Sequence, residues 1–490
     1  MAVIDRRAFL ARTTVFAALA ATAPSALARV VSPKTVRIRG HVTDGRRGVP
    51  GVAVSDGLQI VETDADGRYS MVTTSRQPFV FMSVPAGWQI PVSDVGTARF
   101  HAPITSASEQ RSDFRLMRAP GRSADHAFVV LADTQTQNQF EMDRLHAETV
   151  PDVARTVGML GTEDVFGVAC GDIMFDDLSL YPQYEKAVSD MGIPFFQVVG
   201  NHDLDFSAFV DVASTETFSR HFGPRYYSFD RGDVHYVVLD DVFWNNRTYM
   251  GYLDADQLVW LEADLGRVAP GRTVVVFAHI PFHGMGYARA GQTSPSAGGS
   301  VSNREAVYRL LEPYNAHVIQ GHTHESEHIF EGGVHSHVLG TVCGAWWSGD
   351  ICYDGTPNGY GVFTIRGSNV SWQYKSTGQP IDHQLRVFGR GADPSAPDEI
   401  MANVWNWDPE WAVVWYEGGD RRGMMARRRG TDPRAEREQR GPELPERRSW
   451  VDPVPTDHLF YAPVAEDAGP IVVEATDRFG NVYSASLAGL

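Results

Sequence analysis

Five short apolar runs, none with polar alternation, punctuate the middle of the chain, and each breaks off at residues with metal-binding side chains. Ala127 to Ala132 runs into Asp133-Thr134-Gln135, and Val165 to Cys170 into Gly171-Asp172. Pro194 to Val199 meets Gly200-Asn201-His202-Asp203, Thr273 to Ala278 meets His279, and Ala316 to Gln320 meets Gly321-His322-Thr323-His324. Uniform hydrophobicity over such lengths predicts strands buried on both faces, in a sheet covered by helices. Ligands gather beyond the carboxyl ends of strands of this kind, so the five motifs are expected to converge. Asn303 to Tyr314 predicts a helix capped by Ser302.

Singly, an Asp after a strand is more often a cap and a lone His a structural residue; the ordered set carries the inference. Its donors are hard oxygens and borderline nitrogens without a thiolate, which suits Mn, Fe, Zn, Ni or Mg. A carboxylate shared by two ions permits a spacing of ~3.5–4 Å, the arrangement that clamps attacking and leaving oxygens in a phosphoryl displacement. Asp172 is the candidate bridge. His317, His328, His335 and His337 lack motif support and read as structural or surface histidines.

In order and spacing these residues resemble the calcineurin-like metallophosphoesterases, whose series runs D-x-H, GD, GNH(D/E), H, GHxH. The resemblance implies an α/β fold with a four-layer β-sandwich core flanked by helices. It implies two divalent ions, one held by Asp133, Gln135, Asp172 and His324, the other by Asp172, Asn201, His279 and His322. A bridging hydroxide would attack phosphorus while His202 faces the phosphate and stabilises or protonates the leaving group. Asp203, counted with His202 as catalytic, or Asp176 would orient that imidazole. Gln135 stands where the family usually has His, so an amide oxygen replaces an imidazole nitrogen or no ligand is present; this D-x-Q variant is associated with extra flanking β domains. Phe175 stands where purple acid phosphatases carry an iron-binding Tyr, which argues against a ferric tyrosinate centre.

At 490 residues and 43% hydrophobic content the chain is expected to form two or three domains. Arg6-Arg7, an apolar stretch from Thr13 to Ala23 and Ala26-Leu27-Ala28 predict a twin-arginine export signal over 1–28. The expected location is therefore periplasmic or secreted, with no transmembrane segment in the mature chain. Residues 34–118 resemble a transthyretin-like or carboxypeptidase-regulatory-like β-sandwich, with Asp64-Ala65-Asp66-Gly67 as a turn. The catalytic unit is expected over 124–345 and a C-terminal β domain over 346–490, in which the Arg/Glu-rich stretch 421–448 reads as a solvated insertion. Between Met285 and Ser302 the Gly/Ser/Ala-rich composition predicts a loop, either a lid or a surface excursion.

The formal charge of -17, or -19 once three arginines and one aspartate leave with residues 1–28, excludes nucleic acid as a favoured partner. Of three cysteines, Cys170 is expected to be buried in its strand, while Cys343 and Cys352 either pair or stay reduced. Trp346 and Trp347 form a candidate wall against a sugar, a base or a lipid glycerol, or a seal against the next domain. His283 joins them as a candidate substrate residue because it closely follows His279. The leading expectation is an exported phosphomonoesterase or phosphodiesterase acting on a small, envelope-derived phosphate ester. The alternative is a non-catalytic envelope binding protein with a degenerate metal site.

Overall fold

The computed structural model describes residues 33–120 and 124–487; the expected export signal lies outside them. Two sheets face each other at the centre. The first has the order Phe195–Val198, Val165–Cys170, His126–Leu131, Gly359–Arg366, Asn369–Ser376, its first three strands parallel. The second runs Tyr227–Arg231, Val234–Val238, Thr273–Phe277, Asn315–Gln320, Val334–Val338, Glu327–Glu331, parallel within and antiparallel at both edges. The parallel strands are buried along their whole length, apart from Asn315 at the start of one. That burial explains their lack of alternation: one face meets the opposite sheet and the other lies beneath crossover helices such as Val150–Met159, Tyr181–Met191 and Ala255–Leu265.

An aromatic layer joins the sheets. Phe128, Phe166 and Phe196 of the first meet Phe229, Tyr236 and Phe277 of the second, with the Phe196 and Phe229 rings 4.0 Å apart and the Phe128 and Tyr236 rings 5.6 Å apart. Each such pair contributes about 0.5–1.5 kcal/mol beyond the area it buries. His126 Nε2 and the Tyr236 hydroxyl, 2.6 Å apart, satisfy the polar atoms that this layer encloses.

The expected boundary at 345/346 falls inside this sandwich. Gly359–Arg366 lies antiparallel against His126–Leu131, with Val362 opposite Val129, and Asn369–Ser376 forms the sheet edge. The helix expected from Asn303 spans Arg304–Leu311, and Ser302 does not cap it. Ser302 Oγ donates to the Gly251 carbonyl, and the Asn303 side chain brackets the backbone of Leu253.

Residues 35–115 form two small sheets, with Thr35–Thr43 against Arg68–Thr74 in one and Ala53–Ser55 at the centre of the other. Asp64 accepts from the backbone N–H groups of Asp66 and Arg68, the turn that its sequence predicts. The C-terminal domain has two four-stranded sheets, one centred on Glu399–Asn403 and Thr456–Pro463, the other on Ala412–Glu417 and Ile471–Thr476. No described helix is long and apolar enough to cross a membrane.

Candidate metal centre

Asp133, Asp172, Asn201, His279, His322 and His324 all follow the carboxyl ends of parallel strands, and the parallel register brings them to one end of the sandwich. Two motif glycines are required by how closely the loops approach. A Cβ on Gly200 would stand 1.9 Å from the Asp172 nitrogen, and one on Gly321 2.2 Å from Asp133 Oδ2. Asp133, Gln135, Asp172, Asp176, His322, His324 and Trp346 all have φ between 38° and 74°. Left-handed backbone costs a non-glycine residue about 1–3 kcal/mol and survives where the surroundings over-determine it, as at functional sites.

Each ligand histidine is anchored through one nitrogen to a backbone carbonyl. His279 Nδ1 lies 3.1 Å from Cys170 O, His322 Nε2 2.9 Å from Gly298 O and His324 Nδ1 2.7 Å from Gly344 O. A carbonyl accepts only, so the anchored nitrogen carries a proton and the other ring nitrogen is the one that turns inward and could ligate, as metal-ligating histidines are held. Inside, His279 Nε2 lies 3.1 Å from Asn201 Oδ1, 3.2 Å from His322 Nδ1 and 3.2 Å from Asp172 Oδ1. His324 Nε2 is buried without a hydrogen-bond partner, 3.6 Å from Asp133 Oδ1. Asp172, His279 and His322 present ligand atoms within 4.8 Å of one another with Asn201 Oδ1 beside them, and the Asp133–His324 pair adjoins them through the His322 N–H; oxygen and imidazole donors gathered in this way fit a pair of divalent cations. Burial raises the Asp133 carboxyl to about 7 against the pull of His279. At Asp172 burial is outweighed by His279 and His202, and the carboxyl stays ionised.

Gln135, expected as an oxygen ligand, is placed otherwise. Its Nε2 donates to Asp172 Oδ2 at 2.6 Å while its Oε1 faces the Cys343 thiol at 3.6 Å. In this arrangement it positions the bridging carboxylate. Cys343 and Cys352 do not pair: all three cysteines are buried and free, and burial pushes the Cys343 thiol well up.

His202 donates its backbone N–H to Asp172 Oδ1 at 2.8 Å, and its Nδ1 sits 2.7 Å from Asp176 Oδ1. Asp176 is therefore the orienting partner, and Nε2 is left for a substrate. Asp203 is corrected from a catalytic to a structural role. Fully buried, it accepts from the N–H groups of Ile173, Met174 and Gly200 and from the Tyr181 hydroxyl, locking two ligand loops together.

The candidate substrate residues separate. Trp346 stands at the site, its ring 5.2 Å from His324, 5.4 Å from His202 and 4.4 Å from Phe175. Trp347 is buried, with Nε1 donating to Thr134 O at 2.9 Å and Arg144 stacked on its face, so it packs within the catalytic unit and is not the wall. His283 pairs with Glu331 at 2.9 Å and packs on Tyr287, and no ring contact or hydrogen bond among the described residues joins it to the ligands. The stretch from Met285 to Ser302 is pinned: buried Arg289 pairs with Glu325 and Glu327, and Gly298 anchors His322.

Sequence reading missed Asp241, Arg448 and Trp450. Asp241 Oδ1 accepts from the N–H groups of His279 and Ile280, and burial raises its carboxyl to about 7. It follows Asp240 at the end of the strand Val234–Val238, a strand-end carboxylate like those that marked the ligands. Arg448 stands over Phe175 at 4.9 Å and Trp450 against Trp346 at 5.4 Å. Their sequence context is charged and carried no such signal.

Three family profiles match the chain: the N terminal of calcineurin-like phosphoesterase over 36–119, calcineurin-like phosphoesterase over 126–326, and the C terminal of calcineurin-like phosphoesterase over 336–483. Serine/threonine-protein phosphatase CPPED1 of Homo sapiens is 30% identical over 141 residues, and that of Danio rerio 31% over 138, each covering 26% of this chain. The chain spans only 43% and 44% of those relatives. A dimetal phosphatase structure from Danio rerio overlaps 51% of this chain and 96% of its own at 16% identity and a TM-score of 0.35. A purple acid phosphatase from yellow lupin seeds overlaps 70% and 67% at 13% identity and 0.37. With its core and both flanking domains matched between residues 36 and 483, and the ligand series assembled at one end of the sandwich, the chain belongs to the calcineurin-like phosphoesterase family.

Proposed function

We propose that this protein is an exported hydrolase of small phosphate esters. The observation that carries the reading is the cluster of Asp172, His279, His322 and Asn201 next to the Asp133–His324 pair, with His202 beside it. Asp133, Asp172, Asn201, His279, His322 and His324 would hold two divalent ions, which would supply an activated water nucleophile and offset charge on the phosphoryl oxygens. The protein's own groups do the rest. Asp176 holds His202 Nδ1, so that Nε2 faces the leaving oxygen and can give it a proton. Gln135 and the His202 N–H hold the two Asp172 oxygens in place.

Trp346, Phe175 and Trp450 offer an apolar wall for the organic part of the ester, and Arg448, paired with buried Glu141 at 2.7 Å, stacks beside it. This favours a flat or sugar-bearing ester such as a nucleotide, sugar phosphate or glycerophospho-compound of the cell envelope. The twin arginines at Arg6 and Arg7 support export to the periplasm.

A panel of phosphomonoesters and phosphodiesters, assayed on protein loaded with Mn, Zn or Mg, tests activity and class together. Asp172→Asn is expected to lose at least one metal equivalent and ~10²-fold or more of turnover, because it removes the charge both ions share. Full metal content and full rate in that variant would refute the bridge. Metal binding without hydrolysis of any ester would favour the binding-protein reading, which the placement of Gln135 as a donor supports.

A further inference from the structure

Four histidines outside the phosphoesterase site meet at the far edge of the second sheet. His317 and His335 are register partners on adjacent parallel strands, and His337 lies two residues beyond His335 on the same face. His328 faces His337 from the antiparallel edge strand. Their rings stack at 3.9 Å between His335 and His337 and at 5.3 Å between His317 and His337. Trp372 closes the group from the first sheet, 4.6 Å from His337, and Asn406 and Arg478 reach it from the C-terminal domain.

Neutral imidazoles can hydrogen-bond to one another, and two such contacts occur. His317 Nδ1 lies 3.0 Å from His337 Nε2, and His328 Nδ1 lies 3.0 Å from His335 Nε2. They do not complete the network, because His337, fully buried, leaves Nδ1 without a partner. A buried nitrogen in that state costs about 1–3 kcal/mol. His317, His335 and His337 each present one ring nitrogen, and these three atoms lie within 4.8 Å of one another. Ligands at about 2.0–2.1 Å from a tetrahedral zinc stand roughly 3.3 Å apart, close to the 3.0 Å already seen between His317 and His337.

We propose that His317, His335 and His337 form a further metal site for a late first-row divalent ion of the zinc, nickel or copper class, with solvent in the fourth position. Nitrogen-only ligation selects these ions over Mg, Mn and Ca, which favour oxygen. The site is thereby chemically distinct from the dinuclear centre, which mixes carboxylate and amide oxygens with imidazoles. Burial first, then mutual repulsion and Arg478, holds these imidazoles neutral, with His317 near 4, and neutral imidazole is the ligating form. The charge of Arg478 is offset by Asp408, 2.7 Å away and buried. His328, held between His335 and Asn406 Oδ1 at 3.0 Å each, is a positioning residue. The ion would clamp the sheet edge beneath the C-terminal domain, a structural role.

The test uses the full chain carrying a tag free of histidine, loaded with zinc and dialysed, with metal counted by mass spectrometry and located by anomalous diffraction at the zinc edge. An anomalous peak among the three rings is expected, with one equivalent lost in His337→Leu while phosphoesterase turnover is retained. Copper-loaded Asp172→Asn protein is expected to show a nitrogen hyperfine component that the added His317→Leu substitution removes. A wild-type crystal soaked in zinc that shows no peak among these rings would overturn the site even if the variants fail to fold. Equal metal content in wild type and folded His337→Leu protein would overturn it as well.

Discussion

The two flanking domains attach to the sandwich in opposite ways. The N-terminal one shares its core: a single apolar cluster runs from Val36 through Phe100 and Phe229 to Trp372. Phe100 packs 4.5 Å from Tyr227 and 5.9 Å from Phe196, and isolated bridges pair Thr97 with Phe195 and Val84 with Phe229. The C-terminal domain keeps its own core around Ile400, Val413, Phe460 and Ile471 and touches the catalytic unit through directional polar bonds and peripheral aromatic contacts such as Phe479 on Trp372. His458 meets Asp354 at 3.0 Å, Asn403 donates to Asp354 O and Gln439 to Cys352 O. From it Arg448 and Trp450 extend to the metal centre. Shared apolar packing makes a buttress whose removal exposes a core, whereas polar attachment lets a separately stable unit be aimed at the chemistry.

That contrast assigns each region its own measurable consequence. The largest effect is expected at the imidazole that the C-terminal wall faces: His202→Ala should lower turnover ~10²–10⁴-fold, the usual worth of general acid catalysis, with metal content and stability unchanged. A variant that emerges without metal would make His202 a ligand. On the buttress side, Phe100→Ala should cost about 3–5 kcal/mol of unfolding free energy, while kcat/KM per folded molecule stays at the wild-type value. Loss of kcat/KM at unchanged stability would erase the distinction.

A pH-dependent difference is expected on the same side. His235 lies between Asp230 at 2.8 Å and Asp264 at 2.9 Å, and Asp264 continues through Ser228 to Ser83 of the N-terminal domain. Burial alone would lower its pKa, but the two carboxylates outweigh that and raise it to about 10. The folded state thus binds this proton more tightly than the unfolded one, where the pKa is about 6.5. The resulting stability is fully present below about 6.5 and is lost as pH rises through about 10. Denaturant melts should show His235→Gln less stable than wild type by a few kcal/mol near pH 6, since each tenfold gain in proton affinity on folding is worth about 1.4 kcal/mol. That gap should shrink across the window, and a constant gap would show that His235 is not charged in the folded protein. The smallest effect belongs to exposed Trp450: Trp450→Ala should raise KM by a factor corresponding to about 0.5–1.5 kcal/mol, with melting unchanged. If stability falls instead, Trp450 is packing and not substrate wall.

The sequence by itself determined the five buried strands, the order of the ligands and their convergence, because each motif is a local event: an apolar run ending in a donor. It also marked both flanking β regions, whose alternation and turns are equally local. Only the tertiary structure decided whether Asp176 or Asp203 serves His202, since that choice depends on where two loop residues turn their side chains. It placed Gln135 on Asp172 and kept Cys343 apart from Cys352. It assigned Gly359–Ser376 to the catalytic sheet, because a strand's pattern records burial and not the partner that buries it. It also brought Arg448 and Trp450 from a charged stretch to the metal centre, and gathered four histidines from three strands into one cluster. Such contacts join residues far apart in the chain, and no local pattern of hydrophobicity encodes which distant side chain will fill the space beside a given one.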